Sequence, residues 1–402
     1  MKFTEYMKDI RVDREIIDRF LDINEPNWAV FSPRTGYLLR TGMVKDGVDD
    51  SYSISTYRDF GERKMINYSQ MPCRINTYGD SFTQCHQVND GETWQECLAA
   101  HFGEPVRNYV IGGFGVYQAY IRLQIYENDT LTSAGHVILN IFDDDHYRSI
   151  DKWRWIRIGG FRAEVRGNNP NYFHANPWDY VRINPNTGKF EEYESICPVK
   201  ESLYNLCDLS FIEEHFNNDI VAHCEQAKAG GEFDQKIIKK SADLLKIVCD
   251  FSNADQSSKT AEKVHTTYAL KSSEFILEKA RELTDELNKK LLVIQSFGTS
   301  NVYNAIAGNR RFDQDFCDYL KDKKYLVYDL FEAHKKDYTM YNMTYEEYLN
   351  HYFVWGCGHY NPKGNHFFAF DLKNKLIDWL DPKPVTYFEG GIQSTKMANM
   401  LA

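Results

Sequence analysis

RINTYGDSFTQ, residues 74–84, opens as a short apolar run and breaks off at Gly79-Asp80-Ser81. Its first half has the β-branched and aromatic character of a buried strand. Gly, Asp and Ser end strands through backbone freedom or local side-chain hydrogen bonds. A helical pattern, ETWQECLAAHF (92–102), follows the break. Strand, tight turn and helix in that order form the repeating unit of parallel α/β sheets.

Four further runs of strand length extend the pattern: VRNYVIG (106–112), HVILNIF (136–142), KLLVIQSF (290–297) and KYLVYDLF (324–331). Between the second and third, VYQAYIRLQIY places Val116, Tyr120, Leu123 and Tyr126 on one helical stripe. The expected core is a mainly parallel sheet of five strands with helices between them. About 150 residues separate the third and fourth runs, far more than a crossover needs, so a structured insertion is expected there. Within it, VRINPNTGKFEEYES reads as a β-hairpin turned at Asn186-Thr187-Gly188, and FILEKARELTDELNKK as a helix ending in lysines. The polar segment at 252–263 is expected to be a mobile loop, and PRTGYLLRTG (33–42) looks extended. Five segments follow: an N-terminal extension (1–70), a first core part (71–150), the insertion (151–289), a second core part (290–380) and a tail (381–402).

A formal charge of −11 argues against nucleic acid or an anionic membrane surface as the main partner. The first twenty residues are charged throughout and lack the apolar centre of a secretory signal, so a cytoplasmic protein is expected. Nine cysteines lie singly, without CxxC pairs, as reduced thiols do. Cys85 and Cys357 each lie close to a suspected reactive position, but nothing around them marks a His-paired thiolate. Tyrosine and phenylalanine, 27 and 25 residues, suit either a packed interior or pocket walls.

In parallel α/β sheets ligands bind beyond the carboxyl ends of the strands. Ser81 stands at one such end; a nucleophilic serine needs a base for its proton and donors for the oxyanion it creates. After the second run, Gly112, Gly113 and Gly115 precede a helix, where backbone N–H groups can approach a negative charge. After the fifth, WGCGHYNPKGNHFFAF sets His359 in a Gly-bounded loop, a position suited to a general base.

Taken in order, YGDSFTQ, RNYVIGGFGVYQAY and GHYNPKGNHFFA resemble the first, second and fifth blocks of the SGNH hydrolases, the GDSL esterase and lipase family. The resemblance covers about half of the chain. FSPRTGYLL and CPVKESLYNL are similar to flanks of a longer subgroup associated with surface-polysaccharide and modified-sugar pathways. It implies a flavodoxin-like three-layer α/β/α core carrying a large mixed insertion. It also implies a serine esterase in which Ser81 attacks, His359 is the base, and the N–H groups of Ser81 and Gly113 hold the oxyanion. His366 falls at a later, non-catalytic position. No metal or organic cofactor is required, and the partner is a saccharide-like or small polar ester, with a homo-oligomer as a further expectation.

Two positions depart from the family pattern. Its third block supplies an Asn, whereas this chain has IFDDDHYRS, with Asp144 at the matching place. A carboxylate stabilises an oxyanion only when protonated or bound to something else. Asp144 therefore either does so, holds a loop, binds a substrate amine or hydroxyl, or contacts Arg148; Asp80, Asp145 and His146 are candidate substrate contacts beside it. Where the family places an Asp to orient the histidine, this chain has Gly356, leaving a backbone carbonyl or a distant acid such as Asp337. Three other functions stay open: an acyltransferase using the same acyl-enzyme, a metal-dependent hydrolase built on Asp143, Asp144, Asp145, His146 and His359, and a non-catalytic binding protein.

Overall fold

The computed structural model describes residues 1–356 and 358–387. Cys357, and the tail beyond Tyr387 with any intersubunit arm it was expected to form, lie outside the described residues. The chain divides into two compact units, one built from residues 1–40, 114–121 and 144–278, the other from 41–113, 122–143 and 279 onward.

The second unit holds the five-stranded sheet, and every strand pair in it is parallel. Its strands are β1 (Ile75–Tyr78), β2 (Arg107–Asn108), β3 (His136–Phe142), β4 (Lys290–Ser296) and β5 (Val327–Asp329), in the order β2-β1-β3-β4-β5. Ile75 of β1 and Lys290 of β4 both lie opposite His136 of β3, so the central strands start at the same level. Strand β1 stops at Tyr78, opposite Leu139, while β3 and β4 run on together to Phe142 and Ser296. All of β1 is buried, and β3 is buried from His136 to Ile141, which is why these runs read as continuous rather than alternating. Helices Trp94–Phe102 and Pro362–Trp379 contribute Trp94, Leu98, Phe368, Leu372 and Leu376 to a core shared with Ile75, Ile138, Leu292 and Ile294. Each such buried side chain contributes about 1.5–3 kcal/mol relative to exposure.

Two of the strands are shorter than their apolar runs. The ladder of β2 stops after Asn108, whose carbonyl accepts from the N–H of Arg63. At β5, the Asp329 side chain accepts from the N–H of Phe331 and caps helix Leu330–Tyr338, converting the end of KYLVYDLF into a helix start.

The first unit combines residues 1–40 with most of the long insertion. PRTGYLLRTG forms part of a hairpin, Ala29–Ser32 with Gly36–Leu39, turned at Gly36 with a φ of 76°. A second hairpin pairs Tyr180–Ile183 with Phe190–Tyr193, with Gly188 at a φ of 67° in its turn. Trp153, Trp155 and Trp178 are fully buried; two of their indoles donate to main-chain oxygens, Trp153 to Ala175 and Trp178 to Asp151. These aromatics are therefore interior packing rather than the exposed substrate-selecting walls that the composition allowed.

The expected loop at 252–263 is instead the start of a helix, Ala254–Glu286. Asn253 caps it, its side-chain oxygen accepting from the N–H of Gln256 at 3.0 Å. Ala261 and Val264 are buried on one face, so packing overrides the polar composition. Among the described residues no helix is long and apolar enough to cross a membrane.

Candidate active site

The turn after β1 depends on Gly79. Its φ is 154°, and a Cβ there would meet the Asn140 carbonyl at 2.7 Å and the Thr83 hydroxyl at 2.5 Å. Only glycine lets the chain pass this close to β3. Asp80 then caps the short helix Ser81–Gln84, one carboxylate oxygen accepting from the N–H of Phe82 at 2.9 Å. Asp80 is wholly buried and its other oxygen lies 3.2 Å from Ser81 Oγ, so it shapes the turn rather than offering the open substrate contact expected of it. Ser81 takes the first helical position, where its N–H has no intrahelical partner.

Beyond this helix the backbone bends twice through left-handed conformations, at Cys85 (φ 61°) and Gln87 (φ 69°). Non-glycine residues hold such angles only when their surroundings impose them. Arg63 supplies that constraint: its buried guanidinium donates to the carbonyls of Gln84, Cys85 and Val88 at 2.6–2.7 Å and to the Asp90 carboxylate at 3.0 Å. The result is a fixed loop that presents Gln87.

His359 Nε2 lies 2.7 Å from Ser81 Oγ, although 278 residues separate them in sequence. On the other side of the ring, Gln87 Oε1 lies 2.9 Å from His359 Nδ1 and accepts the His359 main-chain N–H at 2.9 Å. Gln87 Nε2 donates to the carbonyl of Asp46 at 2.9 Å. Those two main-chain partners assign the amide, because an N–H needs an oxygen and a carbonyl needs a donor. With Oε1 facing the ring, Nδ1 carries the proton and Nε2 keeps its lone pair toward Ser81. This is the tautomer a general base requires.

The surroundings hold the imidazole from two further directions. Phe82 lies 5.1 Å from the His359 ring, with Phe142 stacked behind it at 4.3 Å. His86 meets the same ring edge-on at 5.0 Å and places its Nε2 3.2 Å from an Asp46 carboxylate oxygen. Burial works against that carboxylate, but hydrogen bonds from His86 and Ser53 hold its pKa below the usual range. A negative charge thus lies one residue removed from the histidine.

The position expected to carry an orienting acid cannot easily do so. Gly356 has a φ of 67°, and a Cβ there would come within 2.4 Å of the Asn350 side chain. Asp337 is engaged elsewhere, accepting from the hydroxyls of Tyr348 and Tyr352 at 3.0 and 2.9 Å. Neither a backbone carbonyl nor Asp337 orients His359; the side chain of Gln87 does. Gly358 permits this, since a Cβ on it would lie 2.7 Å from Gln87 Oε1. After the histidine, Asn361 caps helix Pro362–Trp379 through a 3.0 Å bond from the N–H of Gly364.

Gly112 packs directly against the nucleophile, a Cβ there meeting Ser81 Cβ at 3.3 Å and Gln84 Oε1 at 2.3 Å. Gly113 follows at a φ of 86°. The second glycine block therefore reaches Ser81, as an oxyanion-donor segment must.

The acidic run is occupied by cations and main-chain donors. Asp143 accepts from the N–H of Gly298 at 3.0 Å and the amide of Asn301 at 2.7 Å. Burial would raise the Asp144 carboxyl, but Arg157 and Arg148, each 2.8 Å away, hold it well below the usual carboxylate range. It has no proton to give an oxyanion, so that reading of Asp144 is withdrawn, and its contact with Arg148 is the one observed. Asp145 is buried against Arg148 at 2.8 Å, and buried His146 shares a 2.8 Å hydrogen bond with Ser273; both are structural rather than open to substrate. Among the described residues no group of three or more His, Cys, Asp or Glu side chains is arranged to hold a metal ion. Cys85 is buried and its thiol is pushed up to about 12 by desolvation, which keeps it protonated and unreactive.

No protein-family model matches the chain, and no curated protein matches it either. The chemical reading therefore rests on the geometry. Sequence reasoning missed Gln87, Asp46, His86 and Arg63. Proximity to Ser81 was a signal for His86 and Gln87, whereas Arg63 and Asp46 carried none.

Proposed function

We propose that the protein is a serine esterase of SGNH type that removes an acyl group, acetyl foremost, from a carbohydrate-like or small polar ester. The observation that carries this reading is the 2.7 Å approach of His359 Nε2 to Ser81 Oγ, with Nδ1 bound to Gln87 on the far side. As Ser81 Oγ bonds to the ester carbon, its proton passes to Nε2 and the carbonyl electron pair moves onto oxygen. The N–H groups of Ser81 and Gly113 receive that oxyanion. Collapse breaks the bond to the leaving alcohol, which takes the proton back from Nε2. Water then repeats the sequence on the acyl-enzyme, giving its proton to Nε2 and releasing the acid and free Ser81. Nδ1–H stays on Gln87 throughout.

The strand order β2-β1-β3-β4-β5, all parallel, supports reading the core as flavodoxin-like and three-layered. Its strand ends then form the ligand crevice in which Ser81 stands.

The test is labelling by a fluorophosphonate together with turnover of an acetyl ester. Labelling confined to Ser81, and lost with turnover in Ser81→Ala and His359→Ala, is the expected result. Full turnover in a folded Ser81→Ala protein removes the reading. Sugar acceptors added to the same assay separate transfer from hydrolysis.

A further inference from the structure

The unit that contains the insertion has a cavity of about 430 Å³, within the usual range for small-molecule sites. Lys152, Arg182 and Lys240 line it against one carboxylate, Asp219, a local excess of cations in a chain of net charge −11. Asp219 is already fully employed. It caps helix Ile220–Lys228 by accepting from the N–H groups of Val221 and Ala222, pairs with Arg182 Nη2 at 3.0 Å, and lies 3.6 Å from Lys152. One carboxylate therefore faces two buried or half-buried cations.

Arg182 is the informative side chain. It is 7 % exposed, and only Nη2 has an ionic partner; Nε and Nη1 are buried without a hydrogen-bond acceptor. Leaving such donors unmet is costly, and a guanidinium edge is shaped to receive a carboxylate or phosphate. Its guanidinium lies over the rings of Tyr180 and Tyr268, at 5.9 and 6.0 Å from their centroids, at the wall of the cavity. Tyr193, stacked on Tyr180 at 5.5 Å, extends an aromatic wall along the same cavity, and Asn218 and Ser241 add hydroxyl-compatible groups.

We propose that this cavity is a binding site for a saccharide bearing a carboxylate or a phosphate: the anion meets Arg182, Lys152 and Lys240, and the ring stacks on tyrosine. The inference does not depend on the esterase reading.

Calorimetric titration of the full-length Ser81→Ala protein tests it, since binding is then measured in the absence of turnover. Glucuronate, glucose 6-phosphate and neutral glucose are the probes; the first two distinguish a carboxylate site from a phosphate site. At least one anionic sugar is expected to bind about tenfold or more tightly than glucose, with binding weakened severalfold by Lys240→Gln and by Tyr193→Leu. Lys240 is exposed and Tyr193 half-buried, so both variants keep the wild-type melting temperature. Equal binding of all three sugars, no binding of either anion, or indifference to both substitutions overturns the proposal.

Discussion

Gln87 Oε1 lies 2.9 Å from both the ring Nδ1 and the main-chain N–H of His359. An amide thus occupies the place where a carboxylate orients the histidine in serine hydrolases, much as an asparagine does beside the Cys-His pair of papain-like proteases. Gln87→Ala is predicted to preserve the fold and lower kcat by on the order of 10², because the imidazole loses its preferred tautomer and orientation. Gln87→Glu puts a negative charge beside the ring and favours the imidazolium, so the acid limb of the pH-rate profile should move to higher pH. Profiles for the wild type and both variants check this; identical profiles would show that Gln87 does not act on His359.

Gly112→Ala is predicted to lower kcat by on the order of 10² or more with little change in KM. The added methyl has only 3.3 Å to Ser81 Cβ and 2.3 Å to the Gln84 side chain, so the nucleophile must shift. Steady-state kinetics on a variant of unchanged circular dichroism is the measurement, and wild-type kcat is the contrary outcome.

Arg63→Met is predicted to destabilise the protein by about 3 kcal/mol or more. Three carbonyls and the Asp90 carboxylate lose a buried cationic partner, and unmet acceptors of this kind are costly. Turnover should fall further than stability alone accounts for, since Gln87 loses its fixed loop. Urea unfolding with parallel kinetics below the transition reads both effects.

Asp144→Asn introduces an amide of the kind the SGNH family carries in its third block, yet it is predicted to leave turnover no higher than wild type and to lower stability by on the order of 2 kcal/mol. Arg148 and Arg157 would lose their shared carboxylate. The folded-state pKa of Asp144 is depressed, so its contribution is complete above the ordinary carboxylate pKa and is lost as pH falls toward the folded value. The stability gap between variant and wild type should accordingly narrow on acidification. A rise in activity would return Asp144 to the oxyanion site.

What the sequence made legible was local or strongly periodic. The β3 and β4 runs carry the apolar stretches 137–139 and 291–294 and are buried on both faces from His136 to Ile141 and from Leu292 to Ser296, so their strands stand out from their neighbours. Ser81 was legible because it stands among turn formers at the end of a strand-like run, and His359 because it lies in a Gly-bounded loop ahead of an Asn-Pro helix start. Gln87 was not, because its role depends on two left-handed bends and a carbonyl 41 residues earlier, at Asp46. The helix from Ala254 was hidden for a different reason: its cap and its buried Ala261 and Val264 outweigh a run of serines and charges only after packing.

An uncharged partner steadies a histidine without neutralising it. Under the proposed mechanism, the cation formed when Ser81 attacks is balanced chiefly by the oxyanion itself and, at one remove, by Asp46. Charge separation is then most costly when the departing alkoxide is a strong base. Such a catalyst should discriminate sharply by leaving group, cleaving activated esters readily and simple alkyl esters slowly, so that selectivity arises from electrostatics at the imidazole as well as from the shape of the crevice.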